Sequence, residues 1–206
     1  MIYYQDQHIT LYHGDCREIL PTLGRFDLLL TDPPYGIGKD GQKPSTGGHG
    51  GRKAYDLLGW DAERPAPWVL MMMLEHAEKH IIWGGNYFAD VLPPTGKWLV
   101  WDKGQRINQS DGELAYTSMG GALRICTMNR FELMLDGAEH PTQKPLKLIK
   151  WSIEQAGEVK TVVDPYAGSG TTGRAAKDMG MQCVMIEKEE QYCEVAAKRM
   201  AQEVLF

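Results

Sequence analysis

Short apolar runs recur along this sequence with helical or loop segments between them, and they constrain the fold more than any other feature. Most of them are flanked by glycine, proline or charged residues. Runs that are apolar without alternation are typical of strands buried on both faces of a parallel sheet. The six runs cover residues 9–12, 26–31, 80–83, 98–101, 161–164 and 183–186.

Helical segments follow or separate these runs. One begins near Pro145, because proline is favoured at the first position of a helix, and it carries apolar residues at the helical period. A second helix is expected over residues 172–179, directly after a glycine-rich turn, and a third over about 190–202. Strands that alternate with helices in this way predict an α/β fold.

Composition indicates a single globular domain over residues 1–206. Hydrophobic residues make up 43% of the chain and the net charge is −5. A uniformly basic nucleic-acid-binding protein is therefore excluded, although a local basic patch is not. The four cysteines form no C-x-x-C pair and no zinc-like spacing with histidine, which predicts reduced thiols, a cytoplasmic location and no metal site. Neither a signal peptide nor a membrane span is expected.

Residues 36–53 break the alternation of strands and helices. They contain seven glycines and four basic residues against a single acid, so this segment has a local charge of +3 within an acidic protein. Such a composition forms no regular element. Two interpretations stay open, a solvated flexible loop and a mobile lid that contacts phosphate. The lid interpretation predicts phosphate contacts from Lys39, Lys43, Arg52 and Lys53.

The sequence Thr-Asp-Pro-Pro-Tyr-Gly stands directly after the second predicted strand, at the position where α/β folds place ligands. Pro33 and Pro34 cannot donate backbone hydrogen bonds, so carbonyl oxygens are left beside the Asp32 carboxylate and the Tyr35 ring. Two acceptors and a stacking face suit a planar amine. Asp-Pro-Pro alone would be a turn, but the tyrosine and the preceding strand favour a functional site.

A second motif, Asp-Pro-Tyr-Ala-Gly-Ser-Gly-Thr-Thr-Gly over residues 164–173, joins a predicted strand to a predicted helix. Its glycines match the G-x-G-x-x-G pattern of dinucleotide-binding folds. A phosphate is bound best by bare backbone N–H groups with no anion nearby, whereas Asp164 ends the strand here. Only 33 residues follow Gly173, too few for the second half of a dinucleotide-binding fold.

Acids at two strand ends favour a positively charged ligand without phosphate. Asp164 would repel a phosphate and attract an ammonium group, and Glu187 closes the next strand, where an acid commonly binds ribose hydroxyls. S-adenosylmethionine carries a sulfonium, an amino group and a ribose, and it has no phosphate. The two motifs together therefore predict methyl transfer from S-adenosylmethionine to an amine.

The motifs and their order resemble those of DNA amino-methyltransferases of the permuted, beta class, in which the catalytic motif precedes the cofactor motif. Asp-Pro-Pro-Tyr is similar to the catalytic motif seen most often in adenine-N6 enzymes, and residues 164–170 are similar to the cofactor loop. Gly-Asp-Cys at 14–16 and His-Pro-Thr-Gln-Lys-Pro at 140–145 also resemble family segments. The resemblance covers nearly the whole chain. Segments that resemble small phage-type members are residues 83–88, 101–103 and 113–117.

This resemblance implies a Rossmann-like methyltransferase fold with a doubly wound, mostly parallel sheet of seven strands. It also implies S-adenosylmethionine as cofactor, double-stranded DNA as partner and, as in many family members, a homodimer. The expected catalytic residues are Asp32, Pro33, Pro34 and Tyr35. The residues expected to bind the cofactor are Asp15, Cys16, Lys144, Asp164, Tyr166, Ala167, Gly168, Ser169, Gly170, Thr171 and Glu187.

The activity implied by the resemblance is methylation of the N6 amine of adenine in DNA, with the base flipped out of the double helix. Cytosine-N4 methylation is an alternative on the same scaffold. Methylation of RNA or of protein glutamine is a further alternative, which the permuted motif order disfavours. The non-enzymatic alternative is a DNA-binding module with a degenerate pocket. Because only residues 37–80 and 103–139 are available for target recognition, we expect a small recognition insertion in the second of these segments.

Overall fold

The computed structural model describes residues 1–38, 59, 61–104, 110–129 and 143–202. Within these residues, nine strands form one mixed sheet. The strands are β1 (Ile2–Gln5), β2 (Ile9–His13), β3 (Phe26–Thr31), β4 (Ala77–Trp83), β5 (Trp98–Asp102), β6 (Gly112–Thr117), β7 (Arg124–Thr127), β8 (Thr161–Asp164) and β9 (Gln182–Glu187). Their order across the sheet is β1-β2-β9-β8-β3-β4-β6-β5-β7.

Five α-helices are present in the described part of the chain. They are α1 (Cys16–Ile19), α2 (Pro67–Glu75), α3 (Leu146–Gln155), α4 (Thr171–Asp178) and α5 (Glu190–Met200). The three helices expected from sequence correspond to α3, α4 and α5. Helix α2 was not predicted because its residues are apolar on nearly all sides, so the sequence shows no helical period there.

The predicted α/β fold class is confirmed, and each of the six apolar runs lies in a strand, namely β2, β3, β4, β5, β8 and β9. Strands β1 and β7 extend the expected seven-stranded sheet to nine, and each pairs with a neighbour on one side only. Their side chains are exposed or half-buried, so neither strand needs an apolar run. The block β2-β9-β8-β3-β4 is parallel throughout, whereas β6 runs antiparallel to both β4 and β5.

Two hydrophobic cores cover the two faces of the sheet. Leu28 and Leu30 of β3 point into the core formed with α3, α4 and α5. Leu29, between them, points into the other core, which contains residues of α1 and α2. Because side chains of a strand alternate between faces, an uninterrupted apolar run of this kind is required wherever helices cover both sides.

Strands β8 and β3 lie side by side at the centre of the parallel block, with Leu28 opposite Val162 and Leu29 opposite Val163. From β8 the chain continues through α4 to β9 on one side of this pair. From β3 it continues through α2 to β4 on the other side. The connections therefore diverge between β8 and β3, and this divergence opens a crevice at the carboxyl ends of the two strands.

No helix in the described ranges is long and apolar enough to cross a membrane. All four cysteines carry free thiols. Most of the glycine-rich segment predicted over 36–53 lies outside the described residues, as do residues 130–142. Strands β6 and β7 occupy part of the segment 103–139 and belong to the central sheet, so a recognition insertion there stays a prediction for the remaining residues.

Candidate active site

The carboxylates of the two predicted motifs open into one cleft. Asp32 follows β3 and Asp164 ends β8, and both line a cavity of about 570 Å³ at the carboxyl ends of these strands. The hydroxyl of Thr31, the last residue of β3, donates a hydrogen bond of 2.7 Å to Asp164 Oδ1. This buried bond connects the ends of two strands that lie 133 residues apart in sequence.

Asp164 is buried and engaged by donors from its own loop. Its Oδ1 accepts a hydrogen bond of 3.1 Å from the backbone N–H of Tyr166, and its side chain is only slightly exposed. Burial raises the pKa of Asp164 to about 6, although hydrogen bonds from Thr172 and Thr31 oppose the shift. Among the described residues, the hydrogen-bond donors to Asp164 are neutral, and a buried carboxylate with such partners is suited to a cationic ligand, which would restore the charge balance.

Gly170 allows the loop after Asp164 to turn directly into α4. It is the residue before the helix and has a φ of +77°, a left-handed conformation that glycine adopts without steric cost. A Cβ at this position would also come within 3.0 Å of the Cβ of Ala196 in α5. Glycine at position 170 therefore permits both the turn that places the second motif at the cleft and the close packing of the start of α4 against α5.

Glu187, at the end of β9, holds the same loop from the side. Its Oε2 accepts a hydrogen bond of 2.7 Å from the backbone N–H of Gly168, and its Oε1 accepts one of 2.8 Å from that of Glu189. Burial raises the pKa of Glu187 to about 7 against these backbone donors. Each carboxylate oxygen has a second lone pair, so Glu187 can still accept hydrogen bonds from ligand hydroxyls.

The Gly-Asp-Cys segment forms the edge of the cleft next to Glu187. Asp15 caps α1, and its Oδ1 accepts hydrogen bonds of 2.9 Å from both the backbone N–H and the Nε of Arg17. These bonds lower the pKa of Asp15. The backbone N–H of Gly14 donates to the carbonyl oxygen of Glu187 at 2.9 Å. Cys16 is buried beneath this edge.

Tyr35 is held in place by its hydroxyl, its ring and its backbone. The Tyr35 hydroxyl donates a hydrogen bond to Asp32 Oδ1, and the Tyr35 ring stacks on Tyr87 with centroids 4.6 Å apart and an interplanar angle of 13°. The ring also lies against Gly84, where an added Cβ would overlap its Cε1 and Cζ atoms. The backbone N–H of Tyr35 donates to Asp61 Oδ1 at 2.7 Å, which fixes the chain as it leaves the motif.

Lys144 supplies the second partner of Asp32. Its Nζ donates to Asp32 Oδ2 and lies 3.1 Å from Oε2 of Glu113 in β6. Lys103, which directly follows β5, binds the other oxygen of Glu113 at 2.5 Å. Burial alone would lower the pKa of Lys144, but the Asp32 and Glu113 carboxylates raise it well above the usual value. Lys144 therefore stays protonated.

Asp32 and Glu113 respond differently to this lysine. Burial raises the pKa of Asp32, with Lys144 opposing the shift and the negative charge of Glu113 adding to it. Burial would also raise the pKa of Glu113, but Lys144 and Lys103 lower it to about 2. The ionisation of Asp32 therefore depends on the charges of both Lys144 and Glu113, which act in opposite directions.

The structure brings most of the predicted site residues together. Pro33, Tyr35 and Gly170 do not line the cavity but lie next to residues that do. The basic residues of the predicted lid, Lys39, Lys43, Arg52 and Lys53, lie outside the described residues. The predicted residues that line the cavity are Asp15, Cys16, Asp32, Pro34, Lys144, Asp164, Tyr166, Ala167, Gly168, Ser169, Thr171 and Glu187.

One predicted cofactor residue has a different immediate partner. Lys144 lines the cavity, but its ammonium group is bound by Asp32 and Glu113. Sequence reasoning assigned no role to Glu113, Lys103 or Asp61. An acid within an otherwise apolar strand segment, Glu-Leu-Ala-Tyr-Thr, was the available signal for Glu113, since such a group needs a basic partner when buried.

A family model described as DNA methylase, N6_N4_Mtase, matches residues 94–198, which is about half of the chain. The matched range contains Glu113, Lys144, the loop after Asp164, and Glu187. Asp32 lies before it in sequence and joins these residues only in the folded structure.

Curated proteins with similar sequences are Type II methyltransferases. M2.DpnII of Streptococcus pneumoniae is 28% identical over 154 residues, which cover 74% of this chain and 53% of that protein. M.ScaI of Streptomyces caespitosus is 25% identical over an alignment of 267 residues, which covers 98% of this chain and 84% of that protein. The chain thus spans about half the length of the first relative and most of the second.

Solved structures of DNA methyltransferases share this fold. The PvuII DNA methyltransferase, described as cytosine-N4-specific, matches with a TM-score of 0.66 at 15% identity, covering 100% of this chain and 90% of that one. The M1.HpyAVI–SAM complex matches with a TM-score of 0.60 at 19% identity, covering 93% and 99%. Similarity at this level of identity establishes the Rossmann-like methyltransferase architecture.

Proposed function

From the premise that the chain belongs to the N6/N4 DNA methylase family, we propose that it transfers a methyl group from S-adenosylmethionine to the exocyclic N6 of adenine in DNA. The observation that carries this proposal is the shared cleft of about 570 Å³, into which both Asp32 and Asp164 open. One carboxylate is available for a cationic methyl donor and the other for the amine that accepts the methyl group.

The chemistry of the cleft fits the cofactor. Asp164 is buried with only neutral donors around it in the described residues, so it can bind the amino group of a cationic ligand. Glu187 has acceptor capacity left for the ribose hydroxyls, and Asp15 with Cys16 forms the edge that would contact the adenine ring. Tyr166, Ala167, Gly168, Ser169, Gly170 and Thr171 would shape the loop around the ligand. When bound, S-adenosylmethionine supplies an electrophilic methyl group.

The target amine would be held by Asp32 and the carbonyl oxygen of Pro33. Each would accept one of its two hydrogen atoms, which favours a pyramidal nitrogen with its lone pair directed at the methyl group. Positive charge grows on that nitrogen during attack, and Asp32 stabilises it where it develops. Asp32 can then take the released proton. In-line alignment of the two reactants contributes the remainder of the rate acceleration.

A base inside duplex DNA must be flipped out to reach this position, at a cost of a few kcal/mol. Stacking on Tyr35 would offset roughly 1–3 kcal/mol of that cost. In this structure Tyr35 stacks on Tyr87 and donates to Asp32. We therefore infer that base entry replaces the tyrosine hydroxyl on Asp32 with the target amine.

We propose that four basic side chains contact the phosphate backbone of DNA. They follow the catalytic motif within a segment of local charge +3 and are Lys39, Lys43, Arg52 and Lys53. Basic side chains next to an otherwise acidic domain would attract the duplex to the mouth of the cleft. The relatives M2.DpnII and M.ScaI are Type II methyltransferases, and we extend that restriction-modification setting to this chain. A homodimer stays a prediction.

The test is expression in a host that lacks DNA methylation, followed by nucleoside analysis and genome-wide mapping of modified bases. We expect N6-methyladenine at a defined sequence with the wild-type protein and much less of it with Asp32→Asn. The matched control is Asp27→Asn, near the start of the strand that precedes Asp32, and this variant should keep methylating DNA. N4-methylcytosine would reassign the target base, and unmodified DNA together with methylated RNA or protein would overturn the proposal.

A further inference from the structure

A chain of alternating charges leads from Asp32 towards the antiparallel part of the sheet. Lys144 Nζ binds Asp32 Oδ2 and lies 3.1 Å from Glu113 Oε2. Lys103 Nζ lies 2.5 Å from Glu113 Oε1. We refer to Asp32, Lys144, Glu113 and Lys103 as the ion chain. It contains two negative and two positive groups, so it is neutral as a whole.

The ion chain is too buried to be a surface feature. The side chains of Lys144 and Lys103 are 6% and 7% exposed, and those of Asp32 and Glu113 are 24% and 26% exposed. Charges that lose most of their water must be compensated by partners, and removing one partner leaves the others uncompensated. The charge state of Asp32 is therefore coupled to Glu113 of β6 and to Lys103, which directly follows β5, and both lie far from it in sequence.

We propose that Lys144 is a positioning residue that keeps the Asp32 carboxylate ionised and oriented for the target amine, and that Glu113 holds the Lys144 ammonium in place for this role. This inference rests on the proposed methyl transfer. An ionised Asp32 can accept a hydrogen bond from the amine and stabilise its growing positive charge, whereas a protonated one stabilises it poorly. Lys144 favours the ionised form. The Lys144 ammonium is also paired with Glu113, so its positive charge is divided between the two carboxylates.

Two other titratable groups of the described residues face Asp32, and their ionisation has to be distinguished from that of Asp32 in the experiment. Tyr35 donates to Asp32 from the same motif, and burial raises its pKa well above the usual value, so it stays protonated. Asp164 faces Asp32 from β8, and its pKa of about 6 lies in the range of the experiment. Because Asp164 is assigned to cofactor binding, its titration is suppressed by working at saturating cofactor.

The experiment measures kcat/KM for DNA against pH at saturating cofactor, from about pH 5.5 to 9, because this profile reports the ionisation of essential groups in the enzyme–cofactor complex before DNA binds. In Lys144→Met, Asp32 loses its cation while Glu113 stays negative. The acidic limb of the profile should move up by about one pH unit or more, which corresponds to about a tenfold loss on the acid side and recovery at high pH.

Neutralising Glu113 should reverse that shift. In the double variant Lys144→Met with Glu113→Gln, the negative charge of Glu113 no longer raises the pKa of Asp32, so the limb should return towards its wild-type position. Lys103→Met serves as a second single variant with a smaller upward shift. Lys150→Met is the matched control: it removes a lysine of α3 that is paired with Asp178 at 2.6 Å outside the cleft, and its profile should equal that of the wild type.

A limb that stays in place in Lys144→Met, or activity reduced by one factor at every pH, overturns the inference. So does a double variant whose limb stays with that of Lys144→Met. Thermal unfolding without ligands gives a readout independent of activity. Relative to wild type, Lys144→Met should gain melting temperature as the pH falls, because Asp32 and Glu113 then take up a proton. If wild-type protein methylates no DNA, the proposed function fails while this measurement still tests the ion chain.

Discussion

The two halves of the cleft are held together by different kinds of partner. The cofactor half (residues 14–16, 164–171 and 187) is ordered mainly by backbone donors, as when Gly168 and Glu189 donate to Glu187. The target half (residues 32–35, 113 and 144) is ordered by side chains, since both oxygens of Asp32 are bound by Tyr35 and Lys144. Backbone donors are fixed by the fold, whereas side-chain donors can exchange for a ligand.

This difference matches the tasks proposed for the two halves. A cofactor loop benefits from a rigid shape that selects one small molecule. A target pocket has to close in the absence of DNA and open for a base, and the replaceable hydroxyl of Tyr35 allows this. Changes in the cofactor half should therefore alter affinity for S-adenosylmethionine, and changes in the target half should alter turnover or stability of the pocket.

The largest expected effect is that of Asp32→Asn on turnover. The amide cannot stabilise the positive charge on the target nitrogen, so kcat should fall roughly 100- to 1,000-fold, the range seen when one electrostatic stabiliser is removed. Single-turnover transfer of labelled methyl groups to DNA measures this loss. Calorimetric affinity for S-adenosylmethionine should be unchanged, and a parallel loss of affinity would contradict the separation of the two halves.

Asp164→Asn should weaken cofactor binding while leaving turnover at saturating cofactor largely unchanged. Loss of a charged hydrogen-bond partner typically costs about 1.5–3 kcal/mol, so the Kd for S-adenosylmethionine should rise roughly 10- to 100-fold. At saturating cofactor, turnover should largely recover. The measurement is isothermal calorimetry together with turnover as a function of cofactor concentration. Unchanged cofactor affinity would remove Asp164 from the cofactor half.

Gly84→Ala should damage the target half through the position of Tyr35. The new Cβ would overlap the Tyr35 ring, and a φ of +69° adds strain for alanine. Together these should lower the free energy of unfolding by about 2–4 kcal/mol. The matched control is Gly180→Ala, where φ is +72° and, apart from its chain neighbours, no atom of the described residues lies within 4 Å of the added Cβ, so only the backbone cost of about 1–2 kcal/mol applies. Urea unfolding compares the two variants, and equal losses would show that the contact with Tyr35 is unimportant.

The smallest expected effect is on the pH dependence of stability. The pKa of Asp164 rises from its usual 3.8 to about 6 on folding. The folded state therefore retains a proton that the unfolded chain releases, and the stability contributed by this residue is lost as the pH rises through about 6. Without ligands, Asp164→Asn should gain up to about 3 kcal/mol relative to wild type between pH 4 and 7. Urea unfolding at these pH values checks the difference, and a constant offset would show that Asp164 does not titrate on folding.

Most of the cofactor half could be predicted from sequence because residues 164–171 and 187 are close together along the chain. Asp164 and the glycine loop form one continuous motif, and Glu187 ends the next strand. The target half could be predicted only in part. Asp32 and Tyr35 stand in a recognisable motif, but Glu113 meets Lys144 only because β6 lies beside β4 in the sheet, and no local pattern encodes that adjacency.

The same reasoning explains which elements of the fold were predicted. Buried strands such as β3 are apolar throughout and were identified with their correct bounds, Phe26–Thr31. Strands β1 and β7 have too little burial to leave a pattern, and β6 mixes polar and buried positions. Helix α2 was missed because a segment buried on most sides has no polar face from which its period could be recognised.

The hydroxyl of Thr31 has a consequence for the design of chimeric proteins on this scaffold. Thr31 is 1% exposed, and its hydroxyl is bonded to Asp164 across the junction of β3 and β8. A chimera that exchanges β3 together with the catalytic motif also exchanges residue 31. Serine at this position would keep a hydroxyl donor for Asp164, whereas valine would remove it.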